Sequence, residues 1–349
     1  MSSYISLYLC SSSKPTTRNT ANYFPLNSCS LALMDITTIK QAQERIKPFI
    51  RRTPLEHSQT LSNYLGTNVF VKYELFQKTG SFKVRGAFNK LLSLSEEERK
   101  RGVVAISGGN HAQAVAYASS VLNVDAIVLM PETTPQNYVE ATKNYGATVD
   151  LQPTIAVAFE KIKNYEAEGR VFIHPFDDTL VIAGQGTLGL EIMEDLPEAT
   201  DIIISIGGGG FEGGVSTAVK AIKPGVRIWG VETIGADTMS QALKAGHPVE
   251  LAAITSIAKT LGAPSVSART LALAQEHLEE VIVVSDDEAV QSLKFILERL
   301  KVLTEPAASC TLSAALRLKD KFKKDSNLVL IFCGGNLSVA DLCKYAGKT

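Results

Sequence analysis

Ser81-Phe82-Lys83-Val84-Arg85-Gly86 follows the loop Gln77-Lys78-Thr79-Gly80 and runs straight into the helical-looking segment Ala87-Phe88-Asn89-Lys90-Leu91-Leu92. A lysine held at the start of a helix faces the positive end of the helix dipole, which favours the neutral amine over the ammonium. The neutral amine is the form that condenses with an aldehyde and stays condensed as a Schiff base. Lysine is also among the commonest solvated residues, so the hexapeptide alone leaves an ordinary surface lysine open. Two later loops bear on the choice.

The first is Gly207-Gly208-Gly209-Gly210-Phe211-Glu212-Gly213-Gly214, which follows the apolar run Asp201–Ile206 and precedes a helix expected over Ser216–Ile222. Consecutive glycines let backbone N–H groups turn together toward an anion, and the helix N-terminus adds its dipole, so a phosphate is the natural guest. Gly208, Gly210 and Gly213 also satisfy G-x-G-x-x-G, with Glu232 near the end of the next expected strand. Read literally, that spacing is a dinucleotide fingerprint, and an NAD-dependent oxidoreductase stands as a rival reading. A plain tight turn is a further one. No G-x-x-x-x-G-K-[ST] occurs, which removes the P-loop. The second loop is Ser107-Gly108-Gly109-Asn110-His111, after the strand-like Val103–Ile106. Asn110 offers a donor and an acceptor there, though such residues also serve as helix caps. His111 alone reads equally as a packing histidine. Phe332-Cys333-Gly334-Gly335-Asn336 repeats the theme of a strand end followed by small residues.

Outward from these loops the chain alternates. Ile39–Ile50, Ala112–Leu122 and Gln136–Tyr145 read as helices. Asn68–Tyr73, Val103–Ile106, Ala126–Met130, Thr148–Leu151, Asp201–Ile206, Arg227–Val231 and Leu328–Phe332 read as strands. Apolar β-branched strands with helices between them predict an α/β protein whose parallel sheets are covered on both faces. In such sheets ligands bind beyond the carboxyl ends of the strands, so the lysine and both glycine loops converge on one crevice.

With 349 residues two domains are expected. The expected partition is 34–98 with 176–349 as the large domain and 99–175 as a small mobile one. Hydrophobic content is 45% and net charge −1, giving no basic surplus for nucleic acid or an anionic membrane. No apolar run reaches bilayer-spanning length. The five cysteines are odd in number and lack C-x-x-C spacing, which points away from a disulfide framework or zinc site and toward a reducing cytoplasm. Residues 1–33 are rich in Ser, Thr and Asn and hold no acid. That composition is compatible with an organelle transit peptide, but arginine is sparse and periodic sequence begins at Met34-Asp35-Ile36-Thr37, so an extension from an upstream start is the simpler reading.

Ser-Phe-Lys-x-Arg-Gly-Ala, Ser-x-Gly-Asn-His-x-Gln-Ala, Ile182-Ala183-Gly184-Gln185-Gly186-Thr187, the tetraglycine and the final Gly-Gly-Asn occur here in one order. Over about Ile36 to Leu342 the chain thereby resembles the serine/threonine dehydratase and serine racemase family, fold-type II pyridoxal-phosphate enzymes built like the tryptophan synthase β subunit. The resemblance implies that Lys83 forms the Schiff base with pyridoxal 5'-phosphate and that Phe82 lies against its ring. Asn110 would bond its 3′-oxygen, and Gly207, Gly208, Gly209, Gly210 and the Phe211 amide would cradle its phosphate. Ser107, Gly108, Asn110 and His111 would form the loop for the substrate carboxylate. Cys333 stands where the family places the partner of the pyridine nitrogen. A neutral thiol cannot hold that nitrogen protonated, which suits chemistry that expels a β-leaving group at once.

Departures from the pattern are informative. Serine racemases place a serine at the position of Gly108, to protonate the face opposite the lysine, and glycine has no proton to give. The family's Ala-Asp-Gly appears as Ala258-Lys259-Thr260, which opens the way to a bulkier substrate such as a phenylserine. A cation site, with Mg, Ca or a monovalent ion, would use Glu232 and the Ala236 carbonyl, while its third ligand falls on Thr238, with Asp237 one place early. The short stretch after Asn336 leads to the expectation that the regulatory domain of feedback-controlled threonine deaminases is missing. The resemblance implies β-elimination from L-threonine or L-serine to a 2-oxo acid and ammonia, a small-molecule amino acid substrate, and a homodimer or homotetramer; racemisation is the alternative.

Overall fold

The computed structural model describes residues 34–347, so the choice between a transit peptide and an upstream start lies outside the described residues. The strands are β1 (Leu55–His57), β2 (Asn68–Lys72), β3 (Val103–Ile106), β4 (Ala126–Pro131), β5 (Thr148–Gln152), β6 (Val171–Phe172), β7 (Asp201–Ser205), β8 (Arg227–Thr233), β9 (Glu280–Val284) and β10 (Asn327–Ile331). They form a six-stranded sheet ordered β1-β2-β10-β7-β8-β9 and a four-stranded sheet ordered β5-β4-β3-β6. Only β1 pairs antiparallel, against β2; every other pairing of these strands is parallel. The smaller sheet takes all its strands from within residues 103–172.

Parallel strands need helical crossovers, which bury both faces and explain the near-continuous apolar runs. In β7 all five residues are buried. Ile203 faces one core with Trp229, Leu330 and the helix Pro306–Arg317, while Ile202 and Ile204 face the other with Leu188, Val215 and Val219. That alternation is the two-residue period of a strand applied to a sheet that is buried twice. The helix Thr179–Asp195 is buried without a break from Val181 to Met193, mostly through apolar residues and glycines, with Glu191 as its buried charge. It approaches the helix Gly210–Ile222 so closely that a Cβ on Gly186 would stand 2.7 Å from the Gly214 carbonyl oxygen. No helix among the described residues is long and apolar enough to cross a membrane.

Most expected elements are found with shifted ends. The first helix runs Ile36–Ile46 rather than Ile39–Ile50, because Asp35 caps it by accepting the Thr38 amide at 2.9 Å. The helix expected at Ser216 begins at Gly210, inside the glycine run. Three strands, β1, β6 and β9, were not anticipated.

Charge inside the core ties the two helices at the site to β2. Arg85 is fully buried and meets two carboxylates: its Nε and Nη2 donate to Glu74 at 2.8 Å each, and its Nη1 and Nη2 donate to Glu191 at 2.8 and 3.0 Å. Lys72, also fully buried, lies 2.8 Å from the other side of Glu191 and donates to the Thr53 carbonyl. Removing one partner of such a cluster strands the opposite charges in a low dielectric, at about 3–5 kcal/mol. Arg85→Ala is therefore expected to lower the unfolding free energy by about that much, measured by denaturant titration. A loss below about 1 kcal/mol, the range of surface pairs, would contradict the assignment.

Candidate active site

Lys83 is the first residue of the helix Lys83–Leu92. The strand β10 places it. Just past that strand the Cys333 carbonyl accepts the Phe82 amide at 3.1 Å, Ser81 pairs with Gly334 in an antiparallel bridge, and the Gly335 amide donates to the Gly80 carbonyl at 3.0 Å. The lysine motif and the final Gly-Gly-Asn are thus zipped into one platform. Its turn holds Thr79 at φ 63°, left-handed backbone that a β-branched residue rarely adopts, and the Asn336 amide clamps the Thr79 carbonyl at 2.7 Å. Nζ of Lys83 donates to the Pro175 carbonyl at 2.8 Å. Loss of hydration lowers its pKa to about 8, against the milder pull of the Cys333 and Glu305 side chains. The balance moves toward the neutral amine expected at this helix start, with burial as the leading cause.

Facing the lysine, Gly209 adopts left-handed backbone (φ 86°) as N-cap of the helix Gly210–Ile222, so the run turns its amides toward the crevice at the positive end of a 13-residue helix. Phe82, Lys83, Asn110, Phe176, Gly207 to Gly210, Phe211, Thr260, Glu305 and Cys333 line one cavity of about 50 Å³. Phe176 covers the glycines: a Cβ on Gly208 would stand 2.2 Å from its ring. On the far wall Glu305 Oε1 accepts from Asn110 Nδ2 at 2.8 Å and Thr260 Oγ1 at 2.9 Å, and Asn110 Oδ1 accepts from Asn336 Nδ2 at 2.8 Å. Burial raises the Glu305 carboxyl to about 7 and the Cys333 thiol well above its ordinary value. On these walls Glu305 Oε2 and both carboxylate oxygens of Glu212 have no hydrogen-bond partner, and burial raises the Glu212 carboxyl to about 8.

Residues 46–334 match the family described as pyridoxal-phosphate dependent enzyme. The chain belongs to that family. It is 40% identical to the L-threonine ammonia-lyase of Thermotoga maritima over 318 residues, 90% of this chain and 79% of that protein. It is 37% identical to the catabolic L-threonine dehydratase of Staphylococcus aureus over 323 residues, 90% of this chain and 92% of that one. Among solved structures, maize serine racemase superposes with a TM-score of 0.85 at 37% identity, covering 90% of this chain and 98% of the other. The processed form of threonine deaminase isoform 2 from Solanum lycopersicum gives 0.83 at 35% identity, with 89% and 88% covered. The fold is that of the fold-type II enzymes, and the cofactor of the family is pyridoxal phosphate.

The residues fit that group. An aldehyde finds a low-pKa amine in Lys83, a phosphate finds the glycine amides at a helix start, and the partnerless Glu305 oxygen offers a further polar contact. The cavity is narrow, with the Phe176 ring lying over the glycine run.

Placement of the expected site residues is uneven. Phe82 stacks on Phe211, with ring centroids 3.8 Å apart, and Lys83 Nζ lies 5.2 Å from the Phe82 centroid. The Ser107 hydroxyl accepts the Gly109 amide at 3.1 Å, stiffening its own loop. His111 is buried; its Nε2 meets the Ile173 carbonyl at 2.9 Å, and desolvation takes its pKa to about 3, so it packs as a neutral ring. Glu232, which spacing offers as a ribose partner and the family resemblance as a cation ligand, accepts the Met239 and Ser240 amides at 2.8 Å each and caps the helix Thr238–Ala245. Ala236 forms the turn before that helix through its amide and the Thr233 carbonyl, and Thr238 donates to the Ala263 carbonyl. Among the described residues no three His, Cys, Asp or Glu side chains cluster as metal ligands. Family membership removes the dinucleotide rival. Sequence reasoning meets Thr260 and Asn336 only inside family motifs and misses Glu305 and Phe176 altogether, since nothing local in Thr304-Glu305-Pro306 marks its carboxylate as a site group.

Cys333 supports a sharp expectation. Its thiol is buried and stays protonated at neutral pH, making at most a weak 3.7 Å bond to the Ala307 carbonyl. Cys333→Ser keeps a neutral donor and acceptor at that place, and turnover is expected within about tenfold of the parent, the scale of one neutral hydrogen bond. Cys333→Asp brings a charge and is expected to slow product formation much more. A Ser variant as inactive as a Lys83 variant would give the thiol a chemical role of its own.

Proposed function

We propose that this protein is a pyridoxal-phosphate-dependent ammonia-lyase that removes the β-hydroxyl and the amino group from a β-hydroxy amino acid, with L-threonine and L-serine as substrates. The observation that carries the reading is Lys83, an amine held near neutrality between the glycine loop and a neutral Cys333, opposite a loop whose residue 108 has no side chain. The names of the threonine ammonia-lyase and dehydratase relatives support it.

Bound in the crevice, pyridoxal phosphate supplies an electron-accepting ring that acidifies the substrate's Cα–H. The protein does the rest. The glycine amides and the helix start anchor a dianion without a charged side chain. Nζ of Lys83, uncharged above about pH 8, would take the proton from Cα and pass one to the departing β-hydroxyl, which leaves as water. Cys333, as a neutral thiol, leaves the ring a modest electron sink, so departure of the β-hydroxyl keeps ahead of competing outcomes. The loop Ser107–His111, stiffened by its own serine and followed by the helix Asn110–Val121, presents amides to a carboxylate.

Racemisation requires a proton on the face away from Lys83, and general acid help of that kind is worth roughly 10²–10⁴-fold. Gly108 brings none. A phenylserine-sized substrate gains no support either, because exposed Lys259 stays outside the cavity while Thr260 narrows it.

Incubating the cofactor-loaded protein with a panel of β-hydroxy amino acids should yield 2-oxobutanoate from L-threonine and pyruvate from L-serine, each with equimolar ammonia. Chiral chromatography of the L-serine reaction should find D-serine forming more slowly than pyruvate. Lys83→Ala should abolish the products and the visible absorbance of the bound cofactor together. D-serine outrunning pyruvate, or a Lys83→Ala protein that keeps both signals, would overturn the proposal.

A further inference from the structure

Gly108 has a neighbour with no part in the reaction derived above. A Cβ on residue 108 would stand 2.6 Å from Thr134 Oγ1 and 3.5 Å from Thr134 Cβ. Thr134 follows the carboxyl end of β4, next to the carboxyl end of β3 from which the Ser107–His111 loop departs. Its hydroxyl is buried and has no hydrogen-bond partner. The same segment touches the site one turn on, where the Tyr138 hydroxyl donates to the carbonyl of Asn336, the residue whose side chain holds Asn110. On the opposite side, Thr260 Cγ2 would lie 3.4 Å from a Cβ on Gly109. Two side-chain-free residues therefore sit between two threonines.

A buried hydroxyl without a partner forfeits the hydrogen bond that water would give it, a cost of about 1–3 kcal/mol that a ligand's acceptor would relieve. The Thr134 hydroxyl is an unmatched donor beside a loop whose amides already favour an anion. No base lies within hydrogen-bonding reach of it among the described residues, so it is a donor of hydrogen bonds rather than of protons.

We infer that Thr134 is a specificity-determining residue: its hydroxyl takes the place of the side chain missing at Gly108 and donates to the carboxylate of the amino acid substrate. The inference rests on the ammonia-lyase reading for the identity of that substrate. It also explains the glycine sterically, since a serine at 108 and the threonine at 134 compete for one space.

The test uses the cofactor-loaded full chain and two readouts. Binding is followed by the change that an added amino acid makes in the cofactor's visible spectrum, with L-serine and with L-alanine, which has a carboxylate but no β-hydroxyl. Turnover of L-threonine is followed as 2-oxobutanoate. Thr134→Val keeps the shape and loses the donor; it should weaken binding of both amino acids, and raise KM, by about tenfold or more, the scale of a hydrogen bond to a charged group, with kcat changed far less. Thr134→Ser should restore affinity. Gly108→Ser alone should bind poorly, and Gly108→Ser with Thr134→Ala should bind better than Gly108→Ser, a coupling that independent sites do not show. Equal affinity in the parent and Thr134→Val, or strictly additive effects of the 108 and 134 changes, would overturn the inference. So would a loss confined to L-serine, which would move the contact to the β-hydroxyl, or a loss of D-serine formation with unchanged binding, which would make the hydroxyl a proton donor. Spectral binding is read without product formation, so it decides the role of Thr134 even if no β-hydroxy amino acid is turned over.

Discussion

Everything at the crevice depends on a guanidinium that never reaches it. Arg85 lies two residues past the reactive lysine and is enclosed by Glu74 and Glu191, with Lys72 completing the set. Desolvating these charges costs several kcal/mol per ion, which is recovered only in one geometry, with both carboxylates meeting the guanidinium in near-bidentate fashion. That geometry fixes the rotation and the depth of the helix Lys83–Leu92 against the helix Thr179–Asp195. The close glycine contact of the latter with the helix Gly210–Ile222 then sets the anion-binding helix start relative to the lysine. The distance between the lysine amine and the glycine-lined helix start is therefore a consequence of core packing rather than of the loops that carry both groups.

The second theme is charge tuned by burial. Burial lowers the lysine to about 8 and raises Glu305 to about 7, lifts the Cys333 thiol, and keeps His111 uncharged down to about pH 3. Around neutral pH Lys83 is still mostly protonated and Glu305 is partly ionised, so these two groups carry the charge of the walls, and the backbone amides of two helix starts add to the positive field. Such a site can accept a phosphate and a carboxylate at separate places, leaving the lysine free to hold or release a proton.

The scaffold was legible in the sequence because its signals are local. Val103–Ile106 and Asp201–Ser205 are β-branched runs that only a doubly covered sheet can bury, and Lys83 was anticipated at the start of its helix. The glycine run reads as a link between strand and helix, and glycine's poor helix propensity hides that the helix begins within it, at Gly210. Groups that converge from far apart could not be read this way. Glu305 meets Asn110 across 195 positions, and Asn336 meets Asn110 across 226. Glu232 matched a spacing rule, yet its carboxylate is spent on capping a helix, because a buried carboxylate takes the nearest unpaired amides. Strands β6, with two residues, and β1, with three, are too short to carry a period.

The central claim is that Lys83, and no other lysine, carries the cofactor. Reducing the cofactor-loaded protein with borohydride converts a Schiff base into a stable secondary amine, and peptide mass spectrometry then locates it. The account predicts the pyridoxyl adduct on the peptide that contains Lys83, in stoichiometric yield. An adduct on Lys78, Lys90 or Lys259, or none at all, would contradict it.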